Sequence, residues 1–340
     1  MKNILITGGL GYIGSSLMKQ LDFKNVNKIV IVDLDLFHTE EKLKNLFKKK
    51  NAESKVIVKK INFVNTFALD KIFKEHKINI VIHLGGLVGD PACAFNIQLT
   101  KKINTIATNE LVELSVKHGV VKFIYASTCS VYGINEKLCS ENTEPKPISE
   151  YARSKLEGEI KLHSVKDKLD EIIILRFSTL YGVSERIRFD LVANLFYAKA
   201  KWEKSISIFG GWQWRPFISV KDAGLVLSNL LNINIVGINT YNVGLDEGNS
   251  TLENLAQLIK SKFKDCEIID TGAKDDARNY KVNFDKFYDK FGGALKFDLK
   301  NGIDDLCTDL DQFEDNWKAS KYSNLQTTKN NFKILISDDN

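Results

Sequence analysis

Tyr151 and Lys155 are the two residues of this 340-residue chain whose types and spacing most directly suggest chemistry. They stand at positions i and i+4, so a helix would place both side chains on the same face. A nearby ammonium favours phenolate and can lower a tyrosine pKa from about 10 toward neutral pH. The sequence therefore predicts a tyrosine that works as a general acid and base, tuned by the lysine.

A second Tyr-x-x-x-Lys pair, Tyr197 and Lys201, shows that this spacing alone does not identify the catalytic tyrosine. Tyr151 is preceded by the hydroxyl-rich run 126–133, which leaves the end of an apolar segment and contains Thr128. Ligands of open α/β sheets bind at the carboxyl ends of the strands. Tyr197 has no such run before it, so we interpret it as a packing residue.

Three glycines at the start of the chain have the spacing of a phosphate-binding turn. Gly8, Gly11 and Gly14 follow the first apolar run and open a helix-like segment. One glycine allows the tight turn, one lets the backbone approach a pyrophosphate, and one allows close packing of helix and strand. The free N–H groups at the helix start then face the anion. The position between strand and helix favours this interpretation over an ordinary glycine turn.

Asp33 ends the second apolar run, at the usual distance beyond such glycines. A carboxylate there can accept hydrogen bonds from an adenosine ribose and would repel a 2′-phosphate, which predicts NAD over NADP. The alternative is a turn residue at the strand end. No arginine lies near Asp33 in the sequence, although Lys42 and Lys44 are close.

The elements that must position these residues alternate between strand and helix. Short Ile- and Val-rich runs without polar alternation are typical of strands that are covered on both faces. They occur at 3–7, 28–33, 55–61, 79–84, 121–127 and 171–177. Amphipathic segments between them predict helices near 12–22, 38–50, 66–76, 98–118 and 149–168. This alternation predicts an α/β fold with a doubly wound parallel (Rossmann) sheet.

The alternation becomes less regular after residue 178. We expect helices near 186–200, 219–231 and 251–263, and a short strand at 241–243. The predicted organisation is a Rossmann domain over 1–177 and a smaller C-terminal α/β lobe over 178–317. Segments near 219–244 should return to the first domain. Residues 318–340 are polar and weakly patterned, which is typical of a loose tail.

Composition excludes several classes of protein. With 44% hydrophobic and 27% charged residues, the chain can form a sizeable core and is not disordered. The net charge of +5 is spread along the chain, which gives no support for a nucleic-acid partner. The five cysteines form no CxxC or zinc spacing, so we expect a cytoplasmic protein without a metal site. No apolar run approaches the roughly 18 residues of a membrane helix.

Taken together, the glycine motif, Asp33, the run ending in Val-Tyr-Gly and the Tyr-Lys pair resemble the extended short-chain dehydrogenase/reductase family. Within it, the chain is similar to the NAD-dependent nucleotide-sugar epimerase/dehydratase group. Further segments extend the resemblance over most of the chain. These are residues 83–86, 104–109, 176–182, 188–194, 214–222 and 278–280.

The resemblance implies roles for individual residues. Tyr151 would be the general acid and base on a sugar hydroxyl, Lys155 would hold the nicotinamide ribose, and Thr128 would bind the same sugar oxygen. The implied NAD-binding residues are Gly8, Gly11, Tyr12, Ile13, Gly14, Asp33, Asn62, Phe63, Leu84, Gly85, Gly86, Asn104, Ser127, Tyr151 and Lys155. The implied substrate-binding residues are Val88, Cys129, Ser130, Thr179, Asn194, Arg215 and Arg278.

The last three of these residues would grip a nucleotide diphosphate, for which the arginine fork is suited. Surface ion pairing is the alternative for both arginines.

Departures from the family pattern are informative. Family 4,6-dehydratases carry Asp-Glu directly after the catalytic threonine, where this chain has Cys129 and Ser130. Loss of water needs a proton donor and acceptor, so this difference argues against dehydration. As a nucleophile, Cys129 lacks a paired base in the sequence. Asn62 replaces an acidic residue, and its carbonyl could accept from adenine. Thr179 replaces a frequent asparagine of the substrate segment.

These observations predict a 4-epimerase that acts on a nucleotide-diphosphate sugar through a transient 4-keto sugar. The alternative within the family is a 4-dehydrogenase or ketoreductase, which the motifs do not separate from an epimerase. A hypothesis of another class is a non-catalytic NAD-responsive interaction protein. A homodimer is an expectation from the family alone. Gly85 and Gly86 replace an Ala-Ala pair of the family, and this replacement should widen the space near the nicotinamide.

Overall fold

A central parallel sheet forms the centre of the molecule in the computed structural model, which describes residues 1–272 and 278–337. In chain order the strands are β1 Lys2–Thr7, β2 Val26–Val32, β3 Val56–Lys59, β4 Ile80–His83, β5 Lys122–Thr128, β6 Ile134–Cys139, β7 Glu171–Phe177, β8 Thr179–Tyr181, β9 Ser205–Ile208, β10 Trp214–Ser219, β11 Gly237–Val243, β12 Asn249–Thr251, β13 Glu267–Asp270 and β14 Asn279–Val282.

The helices lie between these strands and after the last of them. They are α1 Tyr12–Gln20, α2 Glu40–Lys49, α3 Thr66–His76, α4 Asp90–Phe95, α5 Ile97–Thr100, α6 Ala107–Lys117, α7 Glu150–Ser164, α8 Val192–Ala198, α9 Val220–Leu230, α10 Leu252–Lys260, α11 Asp285–Phe291, α12 Leu299–Leu310, α13 Asn324–Asn330 and α14 Phe332–Ile336. A π-helical stretch, Lys101–Ile106, joins α5 to α6.

The sheet has the order β3-β2-β1-β4-β5-β7-β11, and every neighbouring pair is parallel. The prediction of a doubly wound α/β fold is confirmed. Alternate residues of β1 show why its run is apolar throughout. Ile4 and Ile6 pack into the apolar cluster on one face of the sheet, while Leu5 packs into the cluster on the other.

A third apolar cluster is formed by residues of α8, β9, α10 and α12, within the stretch predicted as the smaller C-terminal lobe. Part of the later chain nevertheless belongs to the central sheet. β11 pairs with β7 as an edge strand of seven residues, longer than the three predicted at 241–243. α9 packs against α1, where Ser16 donates to the carbonyl of Val220 at 2.7 Å.

Two segments differ from the sequence-based expectations. The helix predicted from 186 begins at Val192, because residues 183–191 form a loop that turns Arg186 and Arg188 toward the central cavity. Residues 324–336 of the expected loose tail form α13 and α14, because Leu335 is buried in the apolar core of the first domain. Residues 338–340 of that tail lie outside the described residues.

Candidate active site

The carboxyl ends of the central strands open into a cavity of about 310 Å³. The first turn of α7 brings Tyr151 and Lys155 to its wall, and the end of β5 brings Thr128. Ser149 caps α7 by accepting a hydrogen bond from the Ala152 amide at 3.2 Å. The hydroxyl of Tyr151 is hydrogen-bonded to Thr128. The cap and the strand end thus fix the acid–base group that the sequence predicts.

Charges around Tyr151 differ from the sequence-based expectation. Burial is the largest effect, and it raises the pKa of the Tyr151 phenol above its usual range, while the charge of Arg188 and the bond to Thr128 lower it. Arg188 thus supplies positive charge that the sequence assigned to Lys155. Burial also lowers the pKa of Lys155 to about 8, and its Nζ lies 5.0 Å from the ring centroid of Tyr125.

The glycine turn lines the same cavity. Gly8 has φ +69°, and a Cβ there would lie 2.7 Å from the Cα of Gly85. A Cβ at Gly14 would lie 2.5 Å from the carbonyl oxygen of Gly9. Close approach of the backbones therefore requires glycine at these positions. The structure therefore gives Gly85 a role in the close contact with Gly8. This role is separate from the wider space near the nicotinamide that the sequence suggests.

Asp33 contributes a carboxylate to this part of the cavity. Its Oδ2 accepts from the amide of Leu10 at 3.0 Å, and its Oδ1 accepts from the amide of Asp35 at 2.9 Å. Burial raises the pKa of Asp33 to about 6, and the two backbone hydrogen bonds oppose this rise. Each oxygen keeps a further acceptor site, which suits a ribose diol.

Most of the predicted contact residues lie together in the cavity wall. Those that line it are Gly8, Gly11, Tyr12, Ile13, Gly14, Asp33, Asn62, Phe63, Leu84, Gly85, Gly86, Val88, Ser127, Thr128, Ser130, Tyr151, Lys155, Thr179 and Arg278. Four others lie behind the wall: Asn104, Cys129, Asn194 and Arg215. The side chains of Asn104 and Asn194 are hydrogen-bonded to backbone groups. Asn104 bonds both the amide and the carbonyl of Leu87, and Asn194 bonds both backbone groups of Gly182.

The thiol and guanidinium behind the wall also have partners. Cys129 donates from its buried thiol to the carbonyl of Arg176 at 3.1 Å, and burial raises its thiol pKa. This geometry does not suit a nucleophile. Arg215 donates to the carbonyl oxygens of Trp214 and Arg278. None of these four residues lines the cavity, and their side chains are hydrogen-bonded to backbone groups beside it.

Two buried groups near the site are structural. Ser127 lines the cavity, but its hydroxyl donates to Glu159, a buried carboxylate that also pairs with Arg176 at 2.6 Å. The imidazole of His83 lies between the hydroxyls of Thr7 and Thr108, at 2.6 and 2.8 Å. Burial lowers the pKa of His83 well below its usual range. It therefore stays neutral and links neighbouring elements.

Sequence analysis missed the wall formed by the C-terminal half. Arg186 and Arg188 line the cavity, and Arg188 forms an ion pair with Asp190 at 2.9 Å. Burial is the largest effect on Arg188, but the charge of Asp190 raises its pKa. One signal was available, since two of the six arginines of this lysine-rich chain fall within three residues.

The C-terminal helices complete this wall. Asn324 donates from Nδ2 to the carbonyl of Val88 at 2.7 Å, and its backbone amide donates to Asp190 at 2.8 Å. Leu335 lines the cavity, and its carbonyl accepts from Asn62 at 3.5 Å. Asn62 is thus partly engaged within the protein. Because residues 318–340 are mostly polar, the sequence did not indicate that α13 and α14 would line the cavity through a few contacts.

Asp90 is a second carboxylate that sequence analysis did not single out. It lines the cavity at the start of α4, and its Oδ2 lies 2.7 Å from Nη1 of Arg278. Its charge acts on Tyr151, so this carboxylate lies at the catalytic end of the cavity. Arg278 lines the cavity, and its partner there is the carboxylate of Asp90.

The model of the NAD-dependent epimerase/dehydratase family matches residues 4–244. The chain therefore belongs to this family, and it is an NAD-dependent nucleotide-sugar enzyme. The glycine turn and Asp33 fit the dinucleotide that the family requires. The hypothesis of a non-catalytic interaction protein is not supported.

Several known proteins are similar to this chain. An uncharacterized UDP-glucose epimerase of Bacillus subtilis (strain 168) is 31% identical over 264 residues, or 74% of this chain and 79% of the relative. A UDP-glucose 4-epimerase of Cyamopsis tetragonoloba is 27% identical and covers 91% of this chain and 93% of its own. The crystal structure of a UDP-glucose 4-epimerase from Thermotoga maritima with UDP-glucose is 26% identical. It has a TM-score of 0.76 and covers 90% of this chain and 97% of its own.

In the described part of the chain, no helix has both the length and the apolar character needed to cross a membrane.

Proposed function

We propose that this protein is a nucleotide-sugar 4-epimerase. The observation that carries this proposal is the hydrogen-bonded pair of Tyr151 and Thr128, which lines the same cavity as the glycine turn. Such an arrangement brings an acid–base group to the place where a hydride carrier would lie. The named 4-epimerases similar to this chain support UDP-glucose as the first substrate to test.

Bound NAD supplies the acceptor and donor of the C4 hydride, and its oxidised ring adds a positive charge to the site. Tyr151 removes the proton of the C4 hydroxyl when that carbon is oxidised. Because burial raises its pKa, the proton-free phenolate requires the neighbouring positive charges. Arg188 provides such a charge, and Thr128 holds the phenol.

The ketone must then present its other face before it is reduced. Tyr151 returns the proton to the C4 oxygen in this second half-reaction, so it ends in its starting state. No net proton or hydride is gained or lost, which makes the reaction an isomerisation. A retained cofactor is therefore sufficient for repeated turnover.

The substrate diphosphate is assigned to the side of the cavity near Arg278. This guanidinium lines the cavity and can bind an anion with fork geometry. Arg215 supports it by donating to its carbonyl oxygen. Asn194 acts farther away by holding Gly182 and the carbonyl of Arg188 at 2.8 Å. Binding of the diphosphate by Arg278 competes with the ion pair to Asp90.

Dehydration would need an acid and a base at C5 and C6. Cys129 is buried behind the wall, and Ser130 is far too weak an acid or base at neutral pH. Asp90 is the carboxylate at the catalytic end in the described part of the chain, and it pairs with Arg278. A single paired carboxylate supports the proposal that no water is lost.

The test is product analysis by mass spectrometry and NMR after incubation with UDP-glucose, followed by GDP-, CDP- and dTDP-sugars. A C4 epimer of unchanged mass, formed without an added electron acceptor, supports the 4-epimerase. Loss of two hydrogens coupled to an electron acceptor would instead identify a 4-dehydrogenase, and reduction of a supplied 4-keto sugar would identify a ketoreductase. Loss of water contradicts all three, and the Asp90→Asn variant would then show whether this carboxylate is responsible.

A homodimer and a cytoplasmic location belong to the same proposal. Ile106, at the end of the π-helical stretch, and Ile160 on α7 are exposed apolar residues on neighbouring helical segments, which supports a helical contact between copies. All five cysteines are free, as expected in a reducing compartment. Light scattering after gel filtration tests the dimer, and a monomer at micromolar concentration would contradict it.

A further inference from the structure

Arg186 lies where the C-terminal half of the chain meets the dinucleotide-binding half. It belongs to the loop between β8 and α8, far in sequence from the glycine turn. Its guanidinium carbon lies 3.8 Å from the ring centroid of Phe37, and both residues line the central cavity. Phe37 follows β2, the strand that ends beside Asp33. The C-terminal lobe therefore contributes a cation to the adenosine end of the cavity.

The polar groups of Arg186 are not all satisfied. The residue is 4% exposed, and Nη2 donates to Oδ1 of Asn324. Its Nε is buried and has no hydrogen-bond partner within residues 1–272 and 278–337. Buried donors are normally paired, so a missing partner at a cavity wall indicates a ligand group.

The charge of Arg186 is also incompletely balanced. Burial lowers its pKa to about 9, and the charge of Arg188 acts in the same direction. Asp190, the acid that follows both arginines in sequence, forms its ion pair with Arg188. Asp33 acts on Arg186 by charge, but its oxygens already accept from two backbone amides. The site therefore has a positive charge to offer to an anion.

We infer that Arg186 binds the diphosphate of the bound dinucleotide from the side opposite the glycine turn. The cavity runs from Asp33 to the start of α1, and this is the region in which such a turn holds a pyrophosphate. A guanidinium that reaches a phosphate there can form two charge-assisted hydrogen bonds. Phe37 orients the guanidinium by stacking. The inference rests on the NAD-dependent class of the enzyme and not on its 4-epimerase activity.

This contact would make the C-terminal lobe part of the cofactor site. The loop that carries Arg186 also carries Arg188, which acts on Tyr151. Asn324 links the same loop to α13. A cofactor phosphate bound by Arg186 would thus hold the loop and the C-terminal helices over the dinucleotide.

The test uses Arg186→Met in the full-length protein, freed of cofactor. Methionine preserves apolar contact with Phe37 and removes the charge. Calorimetry with ADP and with adenosine separates a phosphate contact from a general loss of structure. We expect the affinity for ADP to fall at least tenfold relative to adenosine, the scale of a lost hydrogen bond to a charged group. The thermal midpoint without ligand should stay equal or rise.

Arg153→Met is the matched control, because this arginine is exposed on α7 and pairs with Glu150. It should change neither affinity. Equal losses for ADP and adenosine in Arg186→Met would overturn the inference and leave a structural role through Asn324. An unchanged ADP affinity would overturn it as well. A loss for NADP at least tenfold greater than that for NAD would assign Arg186 to a ribose 2′-phosphate instead.

Discussion

The two sides of the cavity are built in different ways. On the side formed by residues 1–177, a strand end and the start of α1 present backbone groups, and Asp33 is held by two backbone amides. On the other side, the contacts come from the loop 183–191, Arg278 and α13. There charged side chains pair with one another, as Arg188 does with Asp190. Backbone geometry therefore defines the side formed by residues 1–177, and side-chain charge defines the side formed by the later chain.

This difference explains which parts can vary between related enzymes. A phosphate cradle made of backbone groups depends on glycine positions and little else. A side made of ion pairs can change its ligand by replacing one or two side chains. The chain retains the glycine positions, while Cys129 and Ser130 mark its departures near the substrate.

Tyr151→Phe should have the largest effect, because the Tyr151 hydroxyl exchanges a proton with the substrate in both proposed half-reactions. Removal of the hydroxyl should lower kcat at least about a hundredfold, the usual scale for a general acid or base. NAD content and thermal midpoint should stay near those of the parent protein. Steady-state kinetics and absorbance of the purified protein provide these measurements.

The matched control is Tyr197→Phe, in the second Tyr-x-x-x-Lys pair. Its hydroxyl donates to Asp311 at 2.9 Å, far from the cavity wall, and Lys201 pairs with the same acid. We expect little change in kcat. Similar rates for the two variants would show that the catalytic tyrosine was chosen wrongly.

Asp33→Asn tests the dinucleotide side through its pH dependence. Burial raises the pKa of Asp33 from 3.8 to about 6, so the folded state favours the protonated form. Its contribution to stability is complete below about pH 4 and is lost as pH rises through about 6. Without cofactor, Asp33→Asn should gain on the order of 2–3 kcal/mol over the parent between pH 4 and pH 7.

Urea unfolding at several pH values measures this difference. A constant difference between the two proteins from pH 4 to pH 7 would mean that the carboxyl group titrates normally. The same variant should bind NADP better relative to NAD than the parent does, because a like-charge contact is removed. Calorimetry with both dinucleotides checks this expectation.

Leu335→Ala should have a smaller effect that is confined to the C-terminal wall. Leu335 is 6% exposed and lines the cavity, whereas its neighbour Ile334 on the same helix is 40% exposed. The lost packing should loosen α14, so bound NAD should be released about tenfold faster, while global stability changes little. Stopped-flow exchange with a fluorescent dinucleotide measures the release. Ile334→Ala is the control, and equal rates for both variants would show that α14 does not retain NAD.

Residues 1–177 could be predicted well because their signals are local. Apolar runs such as 3–7 and 171–177 became buried strands within a residue of the expected bounds. The doubly wound order follows from right-handed crossovers between parallel strands. Thr128, Tyr151 and Lys155 met because strand ends and helix starts share one edge of such a sheet.

The later chain was harder to predict, since its elements depend on distant contacts. The helix expected from 186 starts at Val192, because its first residues turn into the cavity with two buried arginines. Asn194 and Arg215 match the family pattern in sequence, yet their side chains bond to backbone groups behind the wall. A one-dimensional pattern does not show which way such a side chain points.

The sequence by itself determined the parallel sheet, the glycine turn, the acid at the end of β2 and the Tyr-Lys pair on α7. Each of these depends on periodicity or short spacing, which the chain carries locally. Only the tertiary structure decided that Arg186 reaches the adenosine end, that Asp90 pairs with Arg278, and that α13 and α14 cover the cavity. These contacts join residues far apart in sequence, so burial and charge pairing in the folded chain select them.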